Sequence, residues 1–333
     1  MLSVRHLSIS FTMYDVGLRR KDLMVISDLS LSIEAGEIAA VVGASGSGKS
    51  LLAHAVLGIL PRNATARGEL MFKNEPLTPT RQAALRGREI ALIPQSVSFL
   101  DPLMRVGAQA RRAAQLGGHG SAAAEAQRRA FARYGLASAV ERLYPFQVSG
   151  GMARRVLTAL ATVGRADLII ADEPTPGLHP AAVAETLGHL RELADQGRAV
   201  MLITHDLEAA LEVADKIAVF YAGNTVEVAN RADFTSRGAA GLRHPYTRAL
   251  LCALPQNEFV AVPGAQPPAD ALPPGCLYAP RCQWATAECR AARPTLRPLT
   301  NGYVRCVHAE VLVGRPACNY PSTTRSHTQV SRC

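Results

Sequence analysis

The 333 residues, 48% hydrophobic and 19% charged, have the composition of a globular protein, long enough for one large domain or one domain with subdomains. No apolar run approaches the ~18 residues that span a bilayer, so the chain is not expected to cross a membrane by itself. A net charge of +9 is compatible with nucleic acid, anionic lipid or nucleotide partners, but the basic residues are dispersed and only 5% of residues are aromatic, which argues against direct nucleic-acid binding.

The N-terminus, Met1-Leu-Ser-Val-Arg-His6, lacks a charged region followed by an apolar core, so no secretion signal is expected. Residues 1–35 alternate apolar and polar in short runs, the pattern of half-exposed antiparallel strands joined by a polar loop at Asp15 to Asp22. The apolar stretch from Ile38 to Val42 then reads as a buried strand running into G-x-x-x-x-G-K-S at Gly43 to Ser50 and a helix beyond. Glycines at such a turn let the backbone wrap closely, so that the N–H groups of Gly46 to Lys49 point at one phosphate chain. The candidate phosphate-binding set is Gly43, Ser45, Gly46, Ser47, Gly48, Lys49, Ser50 and Leu51. In it Lys49 would reach the β and γ phosphates and Ser50 would hold Mg²⁺.

A short strand is expected at Gly68 to Lys73, and another at Arg88 to Gln95, ended by Pro94. Residues 103–165 turn rich in Ala and Arg with helical spacing and breaks at Gly117, Gly118 and Gly120, as an inserted helical region would. Near its end Ser149-Gly150-Gly151 opens a helix whose N-terminus is a second candidate anion site. Strand and helix then alternate: Leu168 to Asp172, followed by Glu173-Pro174; a helix from about Ala181; Ala199 to Thr204, followed by His205. Ligands of such a mainly parallel sheet sit beyond the strands' carboxyl ends, where Gln95, Asp172, Glu173 and His205 all fall. Asp172 suits an outer contact to Mg²⁺, Gln95 a contact to Mg²⁺ or water, and Glu173 the polarisation of an attacking water.

In order and spacing, Gly43 to Ser50, Gln95, Ser149 to Met152, Leu168 to Pro174 and His205 resemble the Walker A, Q-loop, signature, Walker B and H-loop of an ABC-type ATPase. The resemblance covers residues 1 to about 228. It implies a P-loop α/β fold with an N-terminal antiparallel subdomain and an inserted helical subdomain at about 96–165. It also implies ATP and Mg²⁺ as ligands, and a dimer in which Ser149, Gly150 and Gly151 of one chain complete the ATP site of the other. An aromatic that stacks on adenine is expected before the Walker loop, and both Phe11 and Tyr14 qualify. Two stretches depart from the family pattern: His179 stands where an aspartate is usual after Walker B, and Val148 and Met152-Ala-Arg-Arg155 flank the intact Ser-Gly-Gly core where Leu and Met-Arg-Gln-Arg are usual.

From about Ala229 the composition shifts, and residues 254–306 are rich in Pro and Cys, a small appendage whose own apolar core looks insufficient without a staple. Seven cysteines without an export signal are expected to be reduced, buried or liganding rather than disulfide-bonded, with Cys252, Cys318 and Cys333 incidental. The other four, Cys276, Cys282, Cys289 and Cys306, are separated by five, six and sixteen residues, which matches neither the usual structural zinc spacing nor the common ferredoxin run. Spacing alone leaves iron–sulfur, zinc or unliganded and disulfide-bonded thiols open. Arg243-His-Pro-Tyr-Thr-Arg-Ala-Leu-Leu251 and Pro274 to Cys289 resemble the C-terminal extension of ATPases from the oligopeptide, dipeptide and nickel importers. That resemblance implies a [4Fe-4S] cluster on Cys276, Cys282, Cys289 and Cys306, in an extension at 229–316. The polar stretch at 317–333 has no periodicity and is expected to be a mobile tail. The resemblance further implies an importer for peptides or nickel-type complexes at the cytoplasmic face of the inner membrane. Its partners would be a second ATPase chain, two transmembrane permease subunits and an extracytoplasmic binding protein. The alternative is a soluble ABC ATPase acting on DNA or ribosomes.

Overall fold

The alternation at the start of the chain folds as it reads. The computed structural model describes residues 1–14, 20–235, 241–257, 259, 262–299, 302–312 and 314. The expected tail at 317–333 and most of the polar loop at 15–22 lie outside them, and residues 20–22 already belong to a strand. Strands β1 (Leu2–Tyr14) and β2 (Arg20–Ile33) pair antiparallel and bury Leu2, Val4, Leu7, Ile9, Ile26 and Leu29.

The apolar run that follows makes β3 (Ile38–Gly43), buried throughout, then a turn and α1 (Lys49–Leu57). β4 (Ala64–Phe72) is longer than the strand expected at Gly68, because its first half pairs with β1, and it leads to β5 (Glu75–Pro76). Helix α2 (Pro79–Leu85) and β6 (Ile90–Ile93) precede the helical region of α3 (Val106–Ala114), α4 (Ala123–Arg133) and α5 (Gly150–Thr162). Then come β7 (Leu168–Asp172), α6 (Pro180–Asp195), β8 (Ala199–Thr204), α7 (Leu207–Val213), β9 (Lys216–Tyr221) and β10 (Asn224–Asn230). The chain continues through α8 (Arg231–Thr235), α9 (Pro245–Cys252), α10 (Ala287–Ala291), β11 (Arg297–Leu299) and β12 (Gly302–Val304).

Two sheets result. One is antiparallel, in the order β2-β1-β4-β5; the other runs β11-β12-β10-β9-β3-β8-β7-β6 and is parallel from β9 to β6. Strands covered on both faces need apolar residues on both sides. Ile38, Ala40 and Val42 accordingly enter one core cluster while Ala39 and Val41 enter the other. The helical region has its own core around Val106, Ala110, Phe131 and Val156. It is tied to α6 by Tyr134, hydrogen-bonded to His189, and by the Arg133–Glu192 ion pair.

The C-terminal appendage is not stapled by its cysteines alone. β12 pairs with β10, so the Pro-rich segment adds strands to the main sheet, and Leu242, Tyr246, Leu277 and Tyr278 share a core with Val219 and Tyr221. Arg305, 5% exposed, donates to the carbonyls of Thr225 (3.0 Å) and Asp28 (2.9 Å) and to the Asp28 carboxylate (2.9 Å), which ties the appendage to β2 as well. Cys252, buried as expected, departs from the expectation of reduced thiols in being disulfide-bonded.

Two buried histidines make this fold sensitive to acid. Burial depresses His189 to about 4 and His244 to about 3. The unfolded chain takes up protons below about 6.5 that the folded chain refuses, so stability present above 6.5 is lost as pH falls toward those values. Glu227, which burial pushes up to about 7, acts in the opposite sense between its ordinary range and pH 7, and the two histidines outweigh it. His244→Asn keeps an acceptor for the N–H of Tyr246 while removing the titration. It is expected to flatten the loss of stability between pH 6.5 and 4.5, as read by denaturant midpoints at a series of pH values.

Candidate functional site

The phosphate loop is placed by the centre of the sheet. β3 lies between β8 and β9, and a Cβ on Gly43 would come within 2.3 Å of the Phe220 carbonyl oxygen, so only glycine lets the strand end this close to its neighbour. Gly46 (φ 77°) and Gly48 (φ 92°) turn the chain through the left-handed region into α1. Lys49, 7% exposed, folds back and donates to the carbonyls of Gly43 (2.8 Å) and Ala44 (3.1 Å). Burial lowers its pKa, against the pull of Glu173 and Asp172. Ser45 and Gly46 are exposed at the tip, and Leu51 packs its side chain against the core beneath. The Ser47 hydroxyl is buried and has no hydrogen-bond partner among the described residues. An orphaned hydroxyl at this turn of the loop fits a phosphate oxygen as its missing partner.

The carboxylates arrive from β7. Ser50 Oγ donates to Asp172 Oδ1 at 3.0 Å, joining the loop to the strand end. Burial, reinforced by the charge of Glu173, holds the Asp172 carboxyl above its usual range, while the Ser50 hydrogen bond opposes the shift. A divalent cation would relieve that crowding of negative charge. Among the described residues no three His, Cys, Asp or Glu side chains converge on one ion. A Mg²⁺ here would therefore draw most of its ligands from phosphate and water beside Ser50, the usual habit of that ion.

Glu173 is 6% exposed and holds a left-handed backbone (φ 47°) that a residue of its shape rarely adopts. Three contacts over-determine it. Its N–H donates to Ile203 O (2.8 Å), its carbonyl accepts from Arg154 Nη1 (2.9 Å), and its carboxylate lies 2.9 Å from His205 Nδ1. The structure thus brings Lys49, Ser50, Asp172, Glu173 and His205 to one edge of the sheet.

Gln95 stands at the same edge, after β6, with an exposed side chain; its backbone carbonyl accepts from Arg154 Nη2 at 3.1 Å. Arg154 is the residue that motif reading passed over. It was visible only as a departure from the usual run after Ser-Gly-Gly, yet one guanidinium joins the ends of β6 and β7 to α5. Ser149 caps α5 by accepting from the Met152 N–H at 3.2 Å. Ser149 and Gly150 are exposed, and no hydrogen bond among the described residues joins Ser149, Gly150 or Gly151 to the chain's own phosphate loop. His179 is exposed at the start of α6 and makes no capping bond. Of the two candidate adenine-stacking rings, Phe11 packs against the core, whereas Tyr14 is 64% exposed with the Arg20 guanidinium 6.0 Å above it.

Among the described residues, Cys276, Cys282, Cys289 and Cys306 gather in the appendage as free thiols, Cys289 and Cys306 buried, Cys276 and Cys282 half-buried. The Cys276 N–H donates to the Cys289 carbonyl at 2.8 Å, which draws two of the four segments together. Burial, with a smaller contribution from the neighbouring cysteines, pushes the Cys282 thiol up to about 11 and the Cys306 thiol up to about 12. The set is thus close enough for mutual electrostatic interaction, without three members closing on a single ion.

Residues 26–176 match the ABC transporter family, and residues 226–289 match the oligopeptide/dipeptide transporter C-terminal region. The chain is 36% identical to the dipeptide transport ATP-binding protein DppD of Escherichia coli K12, over 95% of this chain and 99% of that one. It is 35% identical to the oligopeptide transport ATP-binding protein OppD of the same organism, over 92% of each. Among solved structures, the dimeric cassette of the bacterial ABC transporter MJ0796 superposes with a TM-score of 0.63 at 21% identity, covering 69% of this chain and 99% of that one, a likeness of fold. Near full-length identity at this level, on both sides of residue 226, means that the protein belongs to the ABC transporter family as an ATPase, in the branch that carries the oligopeptide/dipeptide C-terminal region.

Proposed function

We propose that the chain is the ATP-hydrolysing subunit of an importer for peptides, or for nickel-type complexes, bound peripherally at the cytoplasmic face of a membrane. The observation that carries this reading is the near full-length likeness to dipeptide and oligopeptide transport ATP-binding proteins, which extends through the C-terminal region. No helix among the described residues is long and apolar enough to cross a membrane, so transport requires membrane subunits from elsewhere. We assign residues 1–228 to the cassette and 229–316 to the extension.

In the proposed site, the loop from Gly43 to Leu51 cradles the phosphates, Lys49 neutralises them, and Ser50 with Gln95 and Asp172 serves Mg²⁺. Glu173 takes the proton of the attacking water, and His205, 2.9 Å away, orients its carboxylate. Tyr14 stacks on adenine. The capped N-terminus of α5 presents Ser149, Gly150 and Gly151 to the partner's nucleotide, since that end is exposed and carries the positive end of a 13-residue helix. ATP then closes two chains and hydrolysis releases them, a bistable interface biased by its ligand. Affinity purification of the full chain from membranes should recover two permease subunits and a second ATPase chain. Salt-sensitive nucleic-acid binding without them would favour the soluble alternative instead.

The four free cysteines are proposed as ligands of an iron–sulfur cluster, which spreads its thiolates over several irons and so does not need three donors converging on one. Ligation must displace protons that burial holds on Cys282 and Cys306, so cluster loading should rise with pH. Anaerobic purification with iron and sulfide analysis is the check, and zinc without iron would sink the assignment.

A further inference from the structure

The left-handed backbone of Glu173 (φ 47°) is held from two different parts of the fold. β8 supplies two of its contacts: Ile203 O accepts the Glu173 N–H at 2.8 Å, and His205, just past the end of that strand, lies 2.9 Å from the carboxylate. The third comes from α5, the helix that opens after Ser149, where Arg154 Nη1 donates to the Glu173 carbonyl at 2.9 Å. That carbonyl is the only hydrogen-bonding group of its peptide unit, because Pro174 brings no N–H. The two peptide planes that flank the Glu173 Cα are thus fixed separately, one by β8 and one by α5. Together they set the direction in which the side chain leaves the backbone.

The guanidinium is itself braced. Its Nη2 donates to the Gln95 carbonyl at 3.1 Å, two residues past the end of β6 at Ile93, so the planar fork rests on one strand end while it grips the other. Two donors at fixed spacing on one plane suit that task, and a single ammonium does not. The next residue of the helix gives the contrast: Arg155 Nη1 also donates to two carbonyls, of Tyr134 (3.2 Å) and Gly135 (3.3 Å), but both lie inside the helical region. We propose that Arg154 is a positioning residue for hydrolysis: braced on Gln95, it locks the Glu173–Pro174 peptide so that the carboxylate meets the attacking water. Without it, that peptide is free to rotate, and the backbone strain at Glu173 relaxes by turning the carboxylate out of line. The inference rests on the reading of Glu173 as the acceptor of the water's proton. It goes beyond that reading, because it assigns the alignment of the carboxylate to a residue outside the motifs that carry it.

The test sets single-turnover hydrolysis beside equilibrium ATP binding in the assembled transporter. Arg154→Ala is expected to slow hydrolysis about a hundred-fold, the cost of a reacting group misplaced by about 1 Å, with ATP affinity unchanged. Arg154→Lys keeps the charge but cannot span both carbonyls, and it should recover only part of the rate. Arg155→Ala removes the same number of carbonyl contacts one position further on and should leave the rate intact. In a Glu173→Gln background, Arg154→Ala should slow the residual hydrolysis no further, since it acts through the group already removed. A wild-type rate in either Arg154 variant beside a slow Glu173→Gln, equal losses in Arg154→Ala and Arg155→Ala, or fully additive losses in the double variant overturns the proposal and leaves the reading of Glu173 standing. A wild-type rate in Glu173→Gln as well overturns both.

Discussion

Replacing Glu173 by Gln is expected to slow ATP hydrolysis by the assembled complex about a hundred- to ten-thousand-fold while ATP still binds. The substitution keeps the volume and a hydrogen-bonding oxygen beside His205 but cannot accept the proton of the attacking water. Little else should change, because the position is held by backbone: Ile203 O takes the N–H and Arg154 takes the carbonyl. The left-handed φ of 47° is a cost tolerated at that point of the chain, where the carboxylate meets His205. Single-turnover hydrolysis and nucleotide binding, measured on the same preparation, separate the two quantities. Undiminished turnover would move the role of proton acceptor to another residue.

Lys49→Ala should lose ATP affinity by a hundred-fold or more without lowering the stability of the empty protein. An ammonium that meets the phosphate chain makes charge-assisted hydrogen bonds in a site shielded from water, each typically worth about 1.5–3 kcal/mol. In the empty protein the same ammonium is 7% exposed and rests on two neutral carbonyls. Burial lowers its pKa, and nearby Asp172 and Glu173 only partly compensate. Removing it therefore relieves desolvation in the empty state and takes away the main counter-charge in the bound one. An ATP titration set beside a denaturant midpoint reads both. A parallel fall in stability and affinity would mean that the lysine is structural.

The same division, between what a residue needs locally and what it meets, separates what could be read in advance from what could not. Gly43 to Ser50 was legible because a turn that wraps a phosphate chain tolerates few residue types at fixed spacing. Asp172, Glu173 and His205 followed from apolar runs that end in polar residues, since a parallel sheet exposes its strand ends on one edge. Arg154 was not legible. A long flexible side chain reports nothing in its own segment about the two carbonyls, on Gln95 and Glu173, that it will join. Nor was the place of the appendage, because β11 and β12 are three residues each, too short for a period. β12 pairs with β10, more than seventy residues earlier in the chain, and only that pairing reveals it.

By itself the sequence determined the alternating strands and helices that lead into and out of the phosphate loop, the loop itself and the carboxylate pair, because these depend on periodicity and steric requirement within a few residues. Tertiary structure decided which distant groups complete them. It set Glu173 against His205, ran Arg154 across two strand ends, and packed the Tyr246 ring of the appendage against Tyr221 at the end of β9. The physical reason is that buried polar groups must find partners wherever the packing of the sheet brings them, and that packing is a property of the whole chain.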